Sequence, residues 1–211
     1  MEEIVDSLTG LASGTELNTE MGLLIEKGDE FAYAVVDIDE FFNINRDFGH
    51  DTGDIVIKCV AKHLISVFPA PCKVFRDSGD EYSILLPGHS KEQAFLKTEQ
   101  ARLRINQEKL NYKSAQNKPL VQSVSIGISS FPDDGSRPAD ITRRADSAMV
   151  RAKKNGRNQV CLAKEEKLIP KTSHYTSAQL EKLSIIANKE KTGEAVLLRE
   201  ALDDLLHKYD E

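Results

Sequence analysis

The chain has 211 residues, of which 40% are hydrophobic, and this is enough for one globular domain with a real core and a smaller appendage. Its formal net charge of -6 argues against affinity for nucleic acid over the whole surface. The three cysteines, Cys59, Cys72 and Cys161, are widely separated and include no C-x-x-C pair, so their spacing suggests neither a disulfide framework nor a zinc site.

The N-terminal stretch "MEEIVDSLTG" is acidic, whereas a signal peptide begins with a basic region and continues with an apolar one. The sequence also lacks a run of about 18 apolar residues, the minimum for a membrane-spanning helix. We therefore expect neither export nor a membrane span, and a reducing, cytoplasmic location.

The first half of the chain alternates strand and helix patterns. The β-branched and aromatic stretch "FAYAVVDID", residues 31–39, predicts a buried strand, and apolar residues at helical spacing predict a helix over residues 52–68. The stretch "KVFRDSGDEYSILLP", residues 73–87, predicts a β-hairpin. Ser90 begins another predicted helix, with Gln93 in capping-box register.

The next segment continues this alternation. The stretch "PLVQSVSIGISSFP", residues 119–132, predicts a strand, and a helix is expected from Ala139 to a terminating Gly156. A last short strand, "QVCLA", ends at Ala163. The order β-α-β-β-α-β-α-β predicts an α/β fold with a mixed sheet flanked by helices.

The C-terminal segment has a different character. Residues 164–172 are charged and include Pro170, which indicates a linker. The stretches "SAQLEKLSIIANKEK" and "EAVLLREALDDLLHKY" predict two amphipathic helices. We therefore expect one domain over residues 1–163 and a small two-helix unit over residues 173–211.

Two acids are candidates for metal binding. Asp37 closes the buried strand, and Asp80 lies in the hairpin whose strands would be neighbours in the same sheet. Two acids at one end of a sheet repel each other, so such a pair usually implies a bound cation, and hard oxygen ligands suit Mg²⁺. The alternative is that each is an ordinary solvated turn residue.

Further polar residues surround this position in the sequence. The stretch "IDEFFNIN" is expected to be irregular and to precede a helix whose N–H groups could cradle phosphates. Lys153 and Arg157 lie at a predicted helix end, where they could oppose the helix dipole or bind phosphate. Asn45 and Asp54 lie near the same loop, and an Asp can accept two donors from a guanine edge.

Four blocks of sequence carry a family resemblance. They are "DSLTGL", "VVDIDEFFNINRDFGHDTGD", "RDSGDEY" in place of R-x-G-G-D/E-E-F, and "ADSAMVRAKKNGRN" in place of A-D-x-A-L-Y-x-A-K-x-x-G-R-N. In this order, from residue 6 to about residue 161, they resemble the GGDEF domain family, the diguanylate cyclases that join two GTP molecules into cyclic di-GMP. The resemblance implies a GGDEF-type, nucleotidyl-cyclase-like fold.

The resemblance implies a metal site and a catalytic acid. Asp37 and Asp80 would hold Mg²⁺, or Mn²⁺ as an alternative, with help from the Ile38 carbonyl. Glu81, the second signature acid, would lie near the attacking hydroxyl or a second metal ion. The reaction would be displacement at the α-phosphorus by the 3′-hydroxyl of the other GTP, which releases pyrophosphate. Because each domain holds one substrate, the resemblance implies a homodimer.

The same resemblance implies six substrate-binding residues. Two would hydrogen-bond guanine, two belong to the loop that lines the phosphates, and two cations would neutralise the phosphates. In that order they are Asn45 and Asp54, Phe41 and Phe42, and Lys153 and Arg157.

The match departs from the family at several positions. Ser78 replaces the first signature Gly, but Gly79 is retained for a turn with one left-handed residue. Tyr82 replaces Phe and adds a hydroxyl that needs a partner. Phe42 stands where the family usually has Lys, which removes a cation from the phosphate loop, and Arg46 could return a charge to that neighbourhood.

The position of the family's product-inhibition motif, R-x-x-D, reads "PAPC" here, residues 69–72. No charge is left to bind a guanine base or a phosphate. We therefore expect no feedback inhibition through that site.

The C-terminal unit faintly resembles the ribbon-helix-helix family of dimeric DNA-binding proteins. Residues 171–175 would form the ribbon, and residues 177–190 and 194–208 the helices. DNA or a protein is thus a candidate partner of this unit. The plainer alternative is a helical hairpin used for docking or dimerisation.

Two other functional hypotheses stay open. A degenerate GGDEF domain could bind GTP or cyclic di-GMP without turnover and act as a signalling or DNA-binding regulator. A cyclase that also uses ATP is disfavoured by Asp54, whose carboxylate suits the N1–H and the exocyclic amine of guanine.

Overall fold

A computed structural model of the chain describes residues 5–76, 79–110, 120–164, 172–189 and 193–209. The chain divides into two compact units, residues 1–165 and 166–211. The strands are β1 Ala12–Ser13, β2 Phe31–Ile38, β3 Lys73–Arg76, β4 Glu81–Pro87, β5 Lys109–Leu110, β6 Leu120–Val121, β7 Val124–Phe131 and β8 Val160–Leu162. The helices are α1 Leu17–Lys27, α2 Phe41–Phe48, α3 His50–Val67, α4 Lys91–Gln107, α5 Pro138–Lys154, α6 Ser177–Lys189 and α7 Glu194–Tyr209.

The first unit is built on a six-stranded mixed sheet with the strand order β1-β3-β4-β2-β7-β8. Strand β2 runs antiparallel to both of its neighbours, β4 and β7, whereas β1 pairs with β3 and β8 pairs with β7 in parallel. The α/β fold with a mixed sheet and flanking helices that the sequence predicts is therefore confirmed.

Both faces of β2 are buried, as expected for a central strand that lacks polar alternation. Ala32, Ala34 and Val36 face one core, to which α3 and α4 contribute apolar residues. Tyr33 and Val35 face a second core, to which α1 and α5 contribute. Full burial of a Val, Leu, Ile, Phe or Met side chain in these cores stabilises the fold by about 1.5–3 kcal/mol. The sheet thus has one helical layer on each side.

Most of the predicted elements are present. The hairpin consists of β3 and β4, which pair antiparallel. Ser90 caps α4 in a complete capping box with Gln93. Gly156 follows the C-cap of α5 with φ 109°, as expected of a helix-terminating glycine.

Several elements differ from the sequence predictions. The prediction of an irregular stretch after Asp37 is wrong. Residues 41–48 form α2, whose buried Ile44 packs on the core. The single strand expected over residues 119–132 is divided into β6, which pairs with β5, and β7, which pairs with β2. Helix α1 and the short strand β1 carry patterns too brief or too irregular to predict from sequence. Ser78 and Asp77 lie outside the described residues.

The second unit contains α6 and α7, which contact each other. Residues 172–175, the described part of the expected ribbon, pair with no strand in the described chain, so the ribbon stays a prediction. Among the described residues, no helix combines the length and the apolar character needed to cross a membrane.

Candidate functional site

The pairing of β2 with β4 brings the predicted acids together. In the β2–β4 pairing, Asp37 lies directly opposite Glu81, and the Ile38 N–H donates a hydrogen bond to the Asp80 carbonyl at 3.2 Å. Asp37 is only 5% exposed, whereas Asp80 and Glu81 are half-buried. Three carboxyl groups therefore converge at one end of the sheet, one from β2, one from the turn before β4 and one from the first residue of β4.

Burial and neighbouring charge shape the chemistry of Asp37. Burial raises its pKa, and although Lys153 acts in the opposite direction, the acids Asp80 and Glu81 add to the increase. The resulting pKa of Asp37 is about 6. An acid in this environment gains from any cation that replaces lost solvation.

Helix α5 supplies one such cation. The Nζ atom of Lys153 lies 2.7 Å from Oδ2 of Asp37. Lys153 is in the last turn of α5, where a cation also interacts favourably with the negative end of the helix dipole. The structure therefore joins two residues that are 116 positions apart in sequence and that belong to the same predicted site.

Asp39 anchors the loop that follows β2 through hydrogen bonds. The sequence pattern does not predict this role. Its carboxylate accepts hydrogen bonds of 2.6 Å from the hydroxyls of Ser123 and Ser125, and one of 3.0 Å from the Asn158 N–H. Asp39 is itself buried. It therefore ties the end of β2 both to β7 and to the turn that follows α5. The repeated acid in "DID" is a weak signal that could have indicated a second role.

The turn after α5 presents Arg157. Both Arg157 and Asn158 have positive φ values, 62° and 46°. The Arg157 guanidinium lies 3.0 Å from the Glu40 carboxylate, which also accepts a hydrogen bond from the Asn43 side chain. Both members of the ion pair are about half exposed, and such pairs contribute little stability. Arg157 can therefore exchange this partner for an anionic ligand at small cost.

The signature turn is tied to the N-terminal block "DSLTGL". Arg76 donates hydrogen bonds to the Gly79 carbonyl, at 2.7 Å from Nη2, and to the Asp6 carboxylate, at 2.7 Å from Nη1. Asp6 also accepts hydrogen bonds from the backbone and the hydroxyl of Thr9. Gly79 has φ 57°, which agrees with the predicted left-handed position.

Tyr82 follows the two signature acids along β4. The partner required by its extra hydroxyl is the Ile57 carbonyl in α3, at 2.8 Å. Its ring is fully buried in the core shared with that helix. The exchange of Phe for Tyr is therefore accommodated without an unpaired polar group.

The two predicted guanine-binding residues lie at the junction of α2 and α3. A Cβ atom on Gly53 would come within 2.0 Å of Asn45 Oδ1, so the Asn45 side chain lies directly against the Gly53 backbone. Among the described residues, Asn45 Oδ1 is buried and has no hydrogen-bond partner. Asp54, the residue after Gly53, is exposed. A buried acceptor without a partner is costly, and it suits a ligand that brings a donor.

The two aromatic residues of the predicted phosphate loop behave differently. Phe41 is half-buried and packs against the core. Phe42 is 77% exposed and lies in the first turn of α2. Arg46, which the sequence offers as a replacement cation, pairs with its neighbour Asp47 on an exposed surface, at 2.7 Å.

A pocket of about 370 Å³ opens beside these groups. It lies next to the loop after β2 and the turn after α5. Its lining includes Asp39, Glu40, Asn43, Asp47, Ser123 and Arg157.

Comparison with known proteins identifies the family. Residues 3–159 match the family model described as diguanylate cyclase, GGDEF domain. The chain belongs to the GGDEF family. The resemblance stated from its four sequence blocks is therefore confirmed.

Individual relatives match about two thirds of this chain or more. Diguanylate cyclase A of Treponema denticola is 34% identical over 66% of this chain and 37% of its own length. An uncharacterized membrane protein of Staphylococcus haemolyticus is 30% identical over 75% of this chain and 46% of its own length. The chain thus spans less than half of either relative.

A solved structure agrees with the GGDEF fold. The GGDEF domain of DgcB from Caulobacter crescentus, crystallised in complex with c-di-GMP, superposes with a TM-score of 0.69 at 29% identity. The match covers 77% of this chain and 97% of that domain.

The donor set fits a hard divalent cation. Asp37, near the end of β2, and Asp80, in the turn before β4, offer carboxylate oxygens, and the β2–β4 pairing brings Glu81 opposite Asp37. Oxygen ligands of this kind are those that Mg²⁺ prefers. The position of Lys153 Nζ, 2.7 Å from Asp37, indicates that the acids favour a positive charge at this point.

Proposed function

We propose that the protein is a diguanylate cyclase that condenses two GTP molecules into cyclic di-GMP and pyrophosphate with Mg²⁺, working as a dimer. One observation carries this proposal: Asp37, Asp80 and Glu81 converge at one end of the sheet with Lys153 bound to Asp37. Carboxylates and a cation in this arrangement suit the binding and reaction of a magnesium–nucleotide complex.

Asp37 and Asp80, with the Ile38 carbonyl, would hold the metal ion. Mg²⁺ bound there would offset phosphate charge and polarise the reacting phosphoryl group. Mn²⁺ could replace it, since the ligands are the same hard oxygens. Glu81, opposite Asp37, would accept a proton from the attacking 3′-hydroxyl or help to position it.

The remaining residues would bind and orient GTP. Asn45 Oδ1, buried without a partner in the described chain, would accept a hydrogen bond from guanine, and Asp54 would accept from the same base edge. Lys153 and Arg157 would neutralise the phosphates. Phe41 would support the phosphate loop through its packing on the core. Positioning and charge stabilisation of this kind account for most catalysis of nucleotidyl transfer.

Each catalytic domain, residues 1–163, would hold one GTP, so two domains must face each other. The unit over residues 173–211, joined through the linker 164–172, would raise the effective concentration of the second domain by dimerisation. We assign the unit to dimerisation because α6 and α7 expose large apolar side chains among their described residues.

The decisive experiment is incubation of the purified full chain with GTP and Mg²⁺, followed by chromatographic analysis of the nucleotides. We expect cyclic di-GMP and pyrophosphate from the native chain and a loss of at least 100-fold with Asp80→Ala. The matched control is Asp29→Ala, which removes an exposed acid after α1 and should leave the rate unchanged. Equal rates in the native and Asp80→Ala chains would overturn the assignment of the metal site.

A second candidate function is binding of GTP or cyclic di-GMP without turnover. The observation that favours it is Phe42, an exposed aromatic residue where the family usually carries a cation. Stoichiometric binding of GTP without product formation, under conditions in which the metal is saturating, would select this function over the cyclase.

We also propose that the enzyme is free of product inhibition through the usual site. Residues 69–72, "PAPC", carry no charge, and Cys72 is buried. Added cyclic di-GMP should therefore leave turnover unchanged, apart from competition with GTP. Potent non-competitive inhibition would refute this proposal.

A further inference from the structure

A second group of potential metal ligands shares no residue with the candidate active site. Cys59 and His63 are four residues apart on α3, so their side chains share one face of the helix. Glu108, the C-cap residue of α4, reaches the same point. Cys59 Sγ, a ring nitrogen of His63 and a carboxylate oxygen of Glu108 all lie within 4.8 Å of one another.

We propose that Cys59, His63 and Glu108 bind one Zn²⁺ ion. Thiolate, imidazole and carboxylate are the three kinds of ligand that proteins use for zinc. Typical zinc–ligand bond lengths in a tetrahedron separate the ligand atoms by about 3.3–3.6 Å. His63 Nε2 and Glu108 Oε2 are already 3.0 Å apart, and side-chain rotations that shorten the longest separation by about 1 Å complete the fit.

Gln122 provides an independent observation. This side chain is almost fully buried, and its Nε2 atom lies 3.7 Å from Cys59 Sγ, where it donates a hydrogen bond to sulfur. Its Oε1 atom is buried and has no hydrogen-bond partner among the described residues. Donors to a ligating sulfur and polar groups around the ligands are the usual supports of a metal site. The same Nε2 atom also donates to the carbonyls of Ile105 and Glu108, at 3.2 and 3.4 Å, so Gln122 joins Cys59 to the end of α4.

Access suits zinc, and binding would have to displace the Cys59 thiol proton. The side chains of His63 and Glu108 are 16% and 40% exposed, which leaves a path for the ion and room for a water molecule as a fourth ligand. Burial raises the pKa of Cys59 to about 11, and the Glu108 charge adds to this effect. The metal-free thiol is therefore protonated at neutral pH, and zinc binding would release its proton.

The site would tie the middle of α3 to the end of α4. It shares no residue with the proposed Mg²⁺ site or with the pocket beside it. The cysteine spacing does not predict this zinc site, because only one cysteine is a proposed ligand and Glu108 is 45 residues away from His63. A metal that binds only the folded state raises its stability, so zinc should protect this part of the domain from unfolding.

The test uses the tag-free full chain and titrates Zn²⁺ alone against a competing chromophoric chelator. We expect one equivalent to bind, with at least 100-fold weaker affinity for Cys59→Ala and His63→Gln and at least tenfold weaker affinity for Glu108→Gln. Cys72→Ala, which removes another buried thiol, and Asp80→Ala, which removes a proposed Mg²⁺ ligand, should bind zinc like the native chain. This second control separates the zinc site from the proposed cyclase activity.

A spectroscopic measurement distinguishes loss of a metal ligand from misfolding of a variant. Co²⁺ added to the native chain and to Cys72→Ala should produce a thiolate-to-cobalt charge-transfer band, which Cys59→Ala should lack. Glu108→Gln changes a partly exposed side chain, so it serves as the variant that keeps its fold. Binding below one equivalent in the native chain, or unchanged binding and spectra in Cys59→Ala, would show an ordinary His63–Glu108 ion pair only and would overturn the proposal.

Discussion

Lys153 Nζ lies 2.7 Å from Asp37 Oδ2, so the end of α5 delivers a positive charge to the buried end of β2. Lys153 and a metal ion would compete for the same carboxylate. We infer that Lys153 releases Asp37 when a magnesium–nucleotide complex binds, and that its charge is then available to the phosphates. The pair therefore couples the proposed metal site to the proposed phosphate site.

Lys153→Met should weaken GTP binding more than it slows the reaction itself. A charge-assisted contact to phosphate is worth about 1.5–3 kcal/mol, so we expect KM for GTP to rise by about 10-fold to 100-fold, with a smaller change in kcat. Steady-state kinetics at saturating Mg²⁺ measure both constants. The control is Lys154→Met, an exposed neighbour, and a native KM in the Lys153 variant would contradict the role assigned to this residue.

Asp6→Asn should destabilise the domain, because Asp6 anchors the arginine that holds the signature turn. Replacing a partly buried ion pair with a neutral contact leaves Arg76 short of a charged partner. We expect a loss of about 1–2 kcal/mol in the free energy of unfolding at pH 7. Urea titration measures it, and Asp29→Asn, which changes an exposed acid, is the control.

The stability difference between the native and Asp6→Asn chains should depend on pH. Burial acts to raise the pKa of Asp6, but hydrogen bonds from Thr9 and Arg76 outweigh it, so this pKa lies below its usual value of 3.8. A depressed pKa contributes stability above the unfolded-state value and loses it as pH falls through the folded-state value. The difference between native and Asp6→Asn chains should thus be constant from pH 5 to 8 and shrink below pH 4. A difference that grows on acidification would contradict this assignment.

The positions of the acids could be predicted from the sequence because they depend on strands with strong patterns. Residues 31–36 form an apolar strand pattern that ends at Asp37, and Asp80 and Glu81 lead from the hairpin turn into β4, the strand that pairs with β2. The position of Lys153 beside Asp37 follows from the family resemblance, since no local pattern relates the two residues.

Contacts that depend on tertiary packing could not be predicted in this way. The hydrogen bonds that join Asp39 to Ser125 and Asn158 link three separate segments, and each residue alone resembles an ordinary turn or strand residue. Helix α2 has only eight residues, and its helical state depends on the packing of Ile44 rather than on a long periodic pattern.

Gly53→Ala should disturb the proposed guanine site without unfolding the protein. The new Cβ atom would lie 2.0 Å from Asn45 Oδ1, so the Asn45 side chain must move. Alanine favours the helix at least as much as glycine does. The atom that must move is Asn45 Oδ1, at the end of a flexible side chain. We expect KM for GTP to rise at least tenfold while the unfolding midpoint changes little.

The control for Gly53→Ala is Gly22→Ala in α1, where an added Cβ atom meets nothing within 4 Å. That variant should keep native kinetics. A native KM in the Gly53→Ala chain would show that Asn45 does not contribute to binding GTP, whereas a large drop in stability would point to a structural role.

Phe42→Lys should improve GTP binding by restoring the cation that the family usually carries. Phe42 is 77% exposed, so the exchange removes little core packing. A direct contact with the triphosphate should lower KM by about fivefold to 50-fold, which corresponds to about 1–2 kcal/mol. Ile55→Lys, another exposed apolar position, controls for the added charge alone. Equal effects of the two variants would indicate general electrostatic attraction rather than a specific contact.

Removal of the C-terminal unit tests the proposed route to dimerisation. Helices α6 and α7 expose a set of large apolar side chains in the single chain, the kind of surface that a partner usually covers. They are Leu180, Ile185, Ile186, Leu202, Leu205, Leu206 and Tyr209. A chain that ends at Lys164 should be monomeric by sedimentation at concentrations at which the full chain is dimeric. Its cyclic di-GMP output per chain should fall at least tenfold, because two domains must then meet by diffusion.

A point variant separates the loss of the interface from other effects of truncation. Ile185→Asp places a charge on the exposed apolar surface of α6 and should reproduce the monomeric state and the lower output. Glu181→Gln, an exposed change on the same helix, should keep the native mass and rate. Raising the concentration of the truncated chain should restore output per chain. The truncation slows the association of two domains and leaves the chemical step itself unchanged. A truncated chain that is as dimeric and as active as the full chain would assign dimerisation to residues 1–163.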